Sequence, residues 1–285
     1  YKLYSLQEQQ NTVGENIQLL KTYETLALKS IEVAKASAID VLRLQIRQNE
    51  LQQQKEVLQE QFIAEQVGFN NLLNRATDLR VNKIPKLELP DTDPITIDSL
   101  QLNPELLRFD KMYASVTQAE LLNQKERAPM FGVGLDYIPV QEHSQQEHQH
   151  HTNVADNGKD VVMPMVSLSI PLFNKRYSSR TKQNELRKQE ITFQKQERLN
   201  VLKSSLAKAV SQRNKARITF NTQTKNLKQA KDAEQILITK YETGTIDYND
   251  VLDIQELQLK FELNQILSVQ SYYVQSAMIN YIINK

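Results

Sequence analysis

The sequence predicts a mainly α-helical fold of long antiparallel coiled-coil helices carrying one short two-strand β-hairpin, and three features predict it. Only six glycines and eight prolines occur in 285 residues, and every proline falls between Pro85 and Pro171. Neither residue occurs from Leu172 to Thr243, nor again from Thr245 to Lys285. At about 1.5 Å per residue the first of these runs makes a helix on the order of 100 Å long. Its apolar residues fall at coiled-coil steps, as at Leu199, Leu202, Leu206 and Ala209, with Lys, Arg, Gln and Glu between them. Such a stripe is a packing seam and needs no cofactor to explain it. Third, two segments alternate at period two inside the proline-bearing window.

Residues 1–83 read as a helical hairpin, Leu3 to about Val33 and Ser37 to about Leu73. Residues 84–99 read as an extended linker, because Pro85, Pro90 and Pro94 sit among acidic and β-branched residues. Residues 100–285 then hold a helix (100–127), a strand (129–139), a loop (140–160), a strand (161–173), a long helix (174–243), a tip at 244 and a return helix (246–284). Asn103-Pro104-Glu105 opens the first of these helices with a capping residue, a first-turn proline and an acid near the positive helix end. Gly244, isolated between two helical runs, suits a reversal that needs φ > 0.

Sliding the chain on itself so that Tyr1 falls on Ser211 pairs 1–75 with 211–285 without a gap. Thirteen positions are identical, among them Glu24/Glu234, Glu32/Glu242, Asp40/Asp250, Val41/Val251, Leu42/Leu252, Gln45/Gln255, Gln48/Gln258, Asn70/Asn280 and Asn74/Asn284. The clustered Asp-Val-Leu-x-x-Gln carries more weight than the total. A repeat of this kind places the partner of 100–210 upstream of Tyr1, so the chain is expected to be one and a half repeats of a two-repeat protein.

Composition excludes several functions. Lys+Arg (35) and Asp+Glu (34) nearly cancel, so the basic footprint of a nucleic-acid binder is missing. No cysteine is present, which removes disulfides, thiolate metal sites and a cysteine nucleophile from this chain. There is no Gly-rich phosphate loop and no nucleophile motif, so the chain is not expected to be an enzyme and no cofactor is implied. No run of 18 apolar residues encodes a transmembrane helix, a test that leaves strand-type crossings open.

In Met130–Ile138, Phe131, Val133, Leu135 and Tyr137 share a face opposite Gly132, Gly134 and Asp136. In Val162–Leu172, Val162, Pro164, Val166, Leu168, Ile170 and Leu172 lie opposite Met163, Met165, Ser167 and Ser169. Nine to eleven residues with apolar side chains out and small or polar ones in is the length and pattern of a barrel strand in a membrane. A soluble hairpin packed on one face has the same local pattern. Two strands alone leave edge groups unsatisfied in lipid, so a barrel would need strands from the missing half-repeat and from other copies.

The step Ser169-Ile-Pro-Leu-Phe-Asn174, the later Tyr241-Glu-Thr-Gly-Thr-Ile-Asp-Tyr-Asn-Asp-Val-Leu-Asp253, and Asn103-Pro-Glu-Leu106 leading to Ala128-Pro129 resemble the TolC family of outer-membrane efflux channels. The likeness covers essentially the whole chain. It implies a truncated TolC-like chain whose hairpin contributes to a transmembrane β-barrel. In that family three protomers of two repeats each close a twelve-stranded barrel, continued by a helical tunnel into the periplasm.

The resemblance also implies partners and positions. The loop after Pro139 would face outside the cell and Gly244 would lie at the periplasmic tip. A Gram-negative outer membrane, a homotrimer, a periplasmic adaptor protein and an inner-membrane efflux transporter follow from the likeness. The adaptor would meet Tyr241, Gly244, Thr245 and Ile246.

Asp250 and Asp253 lie three apart on one helical face, and in a trimer such carboxylates would recur around a narrow pore and favour cations. An ordinary solvated helix face is the alternative. By resemblance the two aspartates constrict the periplasmic entrance with Tyr241, and Asp40, counterpart of Asp250, joins them. The chain departs from the family at Ile246, where an arginine is usual, and at Ala34, where the repeat would want glycine.

All four histidines, His143, His148, His150 and His151, sit in a Gln-rich loop with Glu142 and Glu147. Imidazole with carboxylate suits Zn²⁺, Cu²⁺ or Ni²⁺, but the spacing fits no closed structural site. A solvated loop without a metal role is the alternative; the functional reading makes the chain part of a heavy-metal exporter. The expected function is a passive export duct for small molecules or heavy-metal cations, and the alternative is a soluble coiled-coil periplasmic adaptor or scaffold.

Overall fold

The computed structural model describes residues 1–32, 37–82, 86–91, 97–141, 158–172, 175–243, 245–246, and 248–284. Their elements are α1 (Lys2–Glu32), α2 (Ala38–Leu72), a 3-10 turn (Ile97–Leu102), α3 (Pro104–Glu126), β1 (Met130–Ile138), β2 (Val161–Ser169), α4 (Lys175–Glu242) and α5 (Tyr248–Ile283). The fold is mainly α, with long helices and one antiparallel two-strand sheet. No helix among the described residues is long and apolar enough to cross a membrane.

Contacts divide the chain into two compact units, 1–103 with 201–285, and 104–200. The first is built on heptad seams. α1 contributes Val13, Ile17, Leu20 and Ala27, and α2 contributes Val41, Leu44, Leu51 and Leu58, all buried together with Tyr248, Val251 and Leu259 of α5. Steps of three and four keep these residues on one stripe of each helix, and each fully buried leucine is worth about 1.5–3 kcal/mol. The seam of α4 carries on from Leu202, Leu206 and Ala209 through Ala216 and Ala230, all buried.

Helix ends follow the same repeat. α1 stops at Glu32 and α4 at its counterpart Glu242, while α2 starts at Ala38 and α5 at its counterpart Tyr248. Past the far ends, Asn74 and Asn284 both take left-handed backbone, at φ 51° and 56°. Asparagine tolerates that conformation better than other side-chain-bearing residues, which suits it to closing a helix.

In the segment expected to be linker, residues 86–91 form no regular element but are strapped down. The Leu87 N–H donates to the Tyr4 hydroxyl at 3.1 Å, and the Arg217 guanidinium donates to the Pro90 carbonyl at 2.6 Å and the Tyr272 hydroxyl at 3.0 Å. Asn103, buried, donates to the carbonyl of Ile282 at 2.8 Å, supplying a partner for an acceptor in the last turn of α5.

In the second unit, Glu120 of α3 accepts from Asn184 at 2.7 Å and Thr181 at 2.8 Å, and Arg180 pairs with Glu126 at 2.9 Å. The asparagine and threonine bonds hold the Glu120 carboxyl below its usual range. The hairpin pairs Phe131 with Leu168, Val133 with Val166, Leu135 with Pro164 and Tyr137 with Val162, while Gly132 opposes Ser167 and Gly134 opposes Met165. The ladder ends at Ser169 and Met130, because Pro129 and Pro171 beyond it lack the N–H that pairing requires.

Gly132 leaves room for the Ser167 side chain opposite it. A Cβ there would stand 2.6 Å from the Ser167 hydroxyl oxygen. The opposite face is bare, with Val133 88%, Val166 82% and Phe131 79% exposed. Side chains that water would disfavour so strongly mark a surface made for an apolar surrounding or another chain.

Candidate functional site

At the end of α4 the backbone turns through a wide bond, Thr245 N–H to the Lys240 carbonyl at 2.9 Å, of the kind that closes a helix into a reversal. Lys240 in the last turn faces the negative end of the helix dipole. Thr243 and Thr245 join hydroxyls at 2.7 Å. Thr245 is exposed and Ile246 half-buried. Gly244 lies outside the described residues, as do Ala34 and all four histidines.

Three tyrosines pack beside this end. The ring of Tyr248, at the start of α5, meets Tyr241 edge-on at 4.9 Å and Tyr23 of α1 at 6.0 Å. Tyr241 is therefore half-buried against the helical core. Burial, and then the neighbouring Tyr23, Tyr241, Glu234 and Asp40, push the Tyr248 hydroxyl well above its ordinary range, so it stays neutral at any physiological pH.

Asp40 is engaged in a capping box. The Ser37 side chain accepts from the Ile39 N–H at 3.2 Å and the Asp40 carboxylate accepts from the Ser37 N–H at 3.2 Å. Asp250 and Asp253 are exposed, with Asp250 in the first turn of α5. Asp253 borders a cleft of about 380 Å³ between α1, α2 and α5, along with Arg43, Arg47, Asn249 and Glu256. There Arg43 donates to the Asn249 side chain, and Arg47 pairs with Glu50 at 2.8 Å and with Glu256 at 3.4 Å. Among the residues nominated from sequence, Asp40 and Tyr241 thus both border Tyr248, while Asp250 and Asp253 point their charge toward water.

Sequence reasoning missed two glutamate–glutamine clusters above these tips. Glu24 of α1 accepts from Gln45 at 2.7 Å and Gln48 at 2.8 Å, both of α2. Glu234 of α4 accepts from Gln255 at 2.7 Å and Gln258 at 2.8 Å, both of α5. Each carboxylate is gripped by two amides one helical turn apart on the partner helix, and the two grips are related by the internal repeat. All three residue pairs are among its sequence identities, which by themselves assign no role. Glu234 has a further donor, the Tyr23 hydroxyl at 2.9 Å, which bonds one hairpin to the other. Burial and the Glu234 charge raise the Tyr23 pKa, and the glutamine bonds lower that of Glu24.

The arrangement offers exposed carboxylates at the tip and carboxylates held by glutamines above it, and no nucleophile–base pair is assembled among the residues just described. Among the described residues no group of three His, Cys, Asp or Glu side chains could hold a metal ion.

Comparison with protein-family profiles and with curated proteins returns no match. Solved structures do match along nearly the whole chain. The outer membrane protein VceC of Vibrio cholerae superposes with a TM-score of 0.77 at 17% identity, over 99% of this chain and 66% of that one. The outer-membrane channel OprN gives 0.77 at 17% identity over 99% and 63%. CusC, whose structures describe folding and transmembrane channel formation, gives 0.81 at 11% identity over 99% and 65%. The chain thus has the fold of these outer-membrane proteins and spans just under two thirds of the length of each.

Proposed function

We propose that the chain is part of an outer-membrane channel of a tripartite efflux pump, a passive duct for small molecules or heavy-metal cations and not an enzyme. The observation that carries this reading is the shared fold over 99% of the chain, hairpin included. The hairpin supports it, since its apolar face is exposed and a barrel wall in lipid would cover it. Three copies form the duct, their helices in the periplasm and their strands in the outer membrane of a Gram-negative bacterium. The division 1–83, 84–99 and 100–285 is the repeat boundary of that assembly.

At the periplasmic end, Asp250 and Asp253 recur around the axis with Asp40 and Tyr241 nearby, and their charge admits cations more readily than anions. An adaptor protein meets the outer surface at Tyr241, Gly244, Thr245 and Ile246, and an inner-membrane transporter supplies the energy. The histidine tract of the loop 140–160 is the element through which metal cargo would be distinguished from other cargo. Metal tolerance of cells lacking the gene, and of cells carrying His143, His148, His150 and His151 as alanines, tests that cargo.

The channel reading is tested by membrane fractionation and planar-bilayer recording of the full-length protein. It should sediment with outer membranes, need detergent for extraction, and conduct. A protein that stays in solution without detergent and never associates with membranes would instead be the adaptor or scaffold.

A further inference from the structure

The exposed apolar surface of the hairpin ends in positive charge. Residues 125–127 and 175–182, at the end of α3 and the start of α4, hold six basic residues and one acidic. The rest of the chain is net negative, with 29 basic residues against 33 acidic. The single acid, Glu126, is taken up by Arg180 at 2.9 Å, and Lys182 pairs with Glu185 at 3.4 Å. That leaves Lys125, Arg127, Lys175 and Arg176, all exposed, without an acidic partner among the described residues.

Local structure does not explain this cluster. The Arg180–Glu126 pair holds the start of α4 against the last turn of α3, and the ladder closes on Met130 opposite Ser169, so the four cations share one level of the molecule. Lys175 and Arg176 sit in the first turn of α4, at the positive end of the helix dipole, and that turn has no acidic residue. Helix energetics would put acids there. In an assembly of identical copies about one axis, each neighbour brings the same cations to the same level and adds like charge.

We infer that this cluster binds the anionic headgroups of phospholipids in the periplasmic leaflet of the membrane, with phosphatidylglycerol as the fitting chemistry. Position selects a lipid over a protein or a free anion. The cations follow directly on the face of Phe131, Val133, Val166 and Leu172, whose exposure marks the part that a bilayer core would cover. Lys175 stands three positions past Leu172, where hydrocarbon gives way to phosphate and where lysine and arginine side chains reach for headgroups. Each basic side chain held at an anionic surface favours it about fivefold, and neutral headgroups offer no such gain.

The inference rests on the channel reading, which puts a bilayer around the hairpin, and the experiment separates the two. Full-length protein extracted in detergent is titrated with phosphatidylglycerol or phosphatidylcholine, and bound lipid is counted by native mass spectrometry. The unmodified protein should hold phosphatidylglycerol at least about tenfold more tightly. In bilayer discs of the two lipids mixed, phosphatidylglycerol should be enriched around the protein, and high salt should remove most of that enrichment. Lys125→Gln, Arg127→Gln, Lys175→Gln and Arg176→Gln together should bring the two lipids within about twofold of each other. Lys208→Gln, Lys215→Gln, Lys225→Gln and Lys228→Gln, at four exposed positions farther along α4, should leave the preference intact. Conduction in bilayers of phosphatidylcholine alone checks that the first variant still folds and inserts. Should it fail to, the lipid preference of the unmodified protein and its salt dependence decide. Equal affinity of the unmodified protein for both lipids, or a preference that survives in the first variant, overturns the inference while the channel stands. A protein that needs no detergent and never enters membranes overturns both.

Discussion

The two helical hairpins, α1 with α2 and α4 with α5, hold themselves together in the same way and end differently. In each, one carboxylate is held by two glutamines at 2.7 and 2.8 Å, so the polar contact that joins the two helices is common to both, buried on the glutamine side in the second hairpin and near the surface in the first. At the tips the likeness stops. Asp40 is tied into a capping box with Ser37, whereas its counterpart Asp250 is exposed and its hairpin turns through Thr243 and Thr245 beside two tyrosines. A charge bonded to its own backbone stabilises a fold; a charge left in water is available to ions. The difference teaches that the copies share what keeps them folded and diverge at their tips.

The comparison is tested hardest by removing the shared carboxylates. Glu234→Ala leaves Gln255, Gln258 and the Tyr23 hydroxyl short of an acceptor, and should destabilise its hairpin by about 2–4 kcal/mol, near the cost of several polar groups losing charged partners. Glu24→Ala releases Gln45 and Gln48 near the surface, where water replaces the lost acceptor, and should cost about 0.5–1 kcal/mol. Amide hydrogen exchange read separately over α1–α2 and α4–α5 checks both. Equal losses would show that the Tyr23 bond between hairpins adds nothing.

Much of this is legible in the sequence. The scarcity of glycine and proline outside one window predicts the long helices, and period-two alternation predicts both strands with their faces, because each signal comes from backbone geometry that operates locally. The ends of β2 are less legible: strand pattern continues through Ile170 and Leu172, but Pro129 and Pro171 deny the ladder its next bonds. The glutamate grips are present as identities in the repeat alignment, yet the bonding role of Glu24 or Glu234 depends on which partner helix faces it, and spacing along one helix does not carry that. Tyr23 shows the same limit more sharply. Its counterpart is Ala233, so no repeat signal points to a bond that joins one hairpin to the other.

The tips sharpen the comparison at smaller cost. Asp40→Ala removes one arm of a capping box and should destabilise α2 by about 1 kcal/mol. Asp250→Ala loses only an exposed acid near a helix start, about 0.3–1 kcal/mol at most, and less in salt. Conduction should order the two the other way, with Asp250→Ala lowering cation over anion permeability more than Asp40→Ala does. Thermal unfolding and reversal potentials on the same pair of variants read both orders, and a match between the two orders would erase the division between folding and functional carboxylates.

The smallest expected effect is a pH dependence confined to the first hairpin. The Gln45 and Gln48 bonds hold the folded Glu24 pKa below its unfolded value of about 4.3. Stability from the ionised form is therefore fully present above that value and is lost as pH falls through the lower, folded pKa. A protonated Glu24 accepts less strongly from both amides, so exchange in α1–α2 should quicken in mildly acidic buffer before global unfolding. Glu24→Gln, which carries no charge to lose, should be less stable than the unmodified chain at neutral pH and should flatten the acid limb for this hairpin alone. If the acid limb of α1–α2 keeps its slope in Glu24→Gln, the carboxylate is not what the glutamines hold.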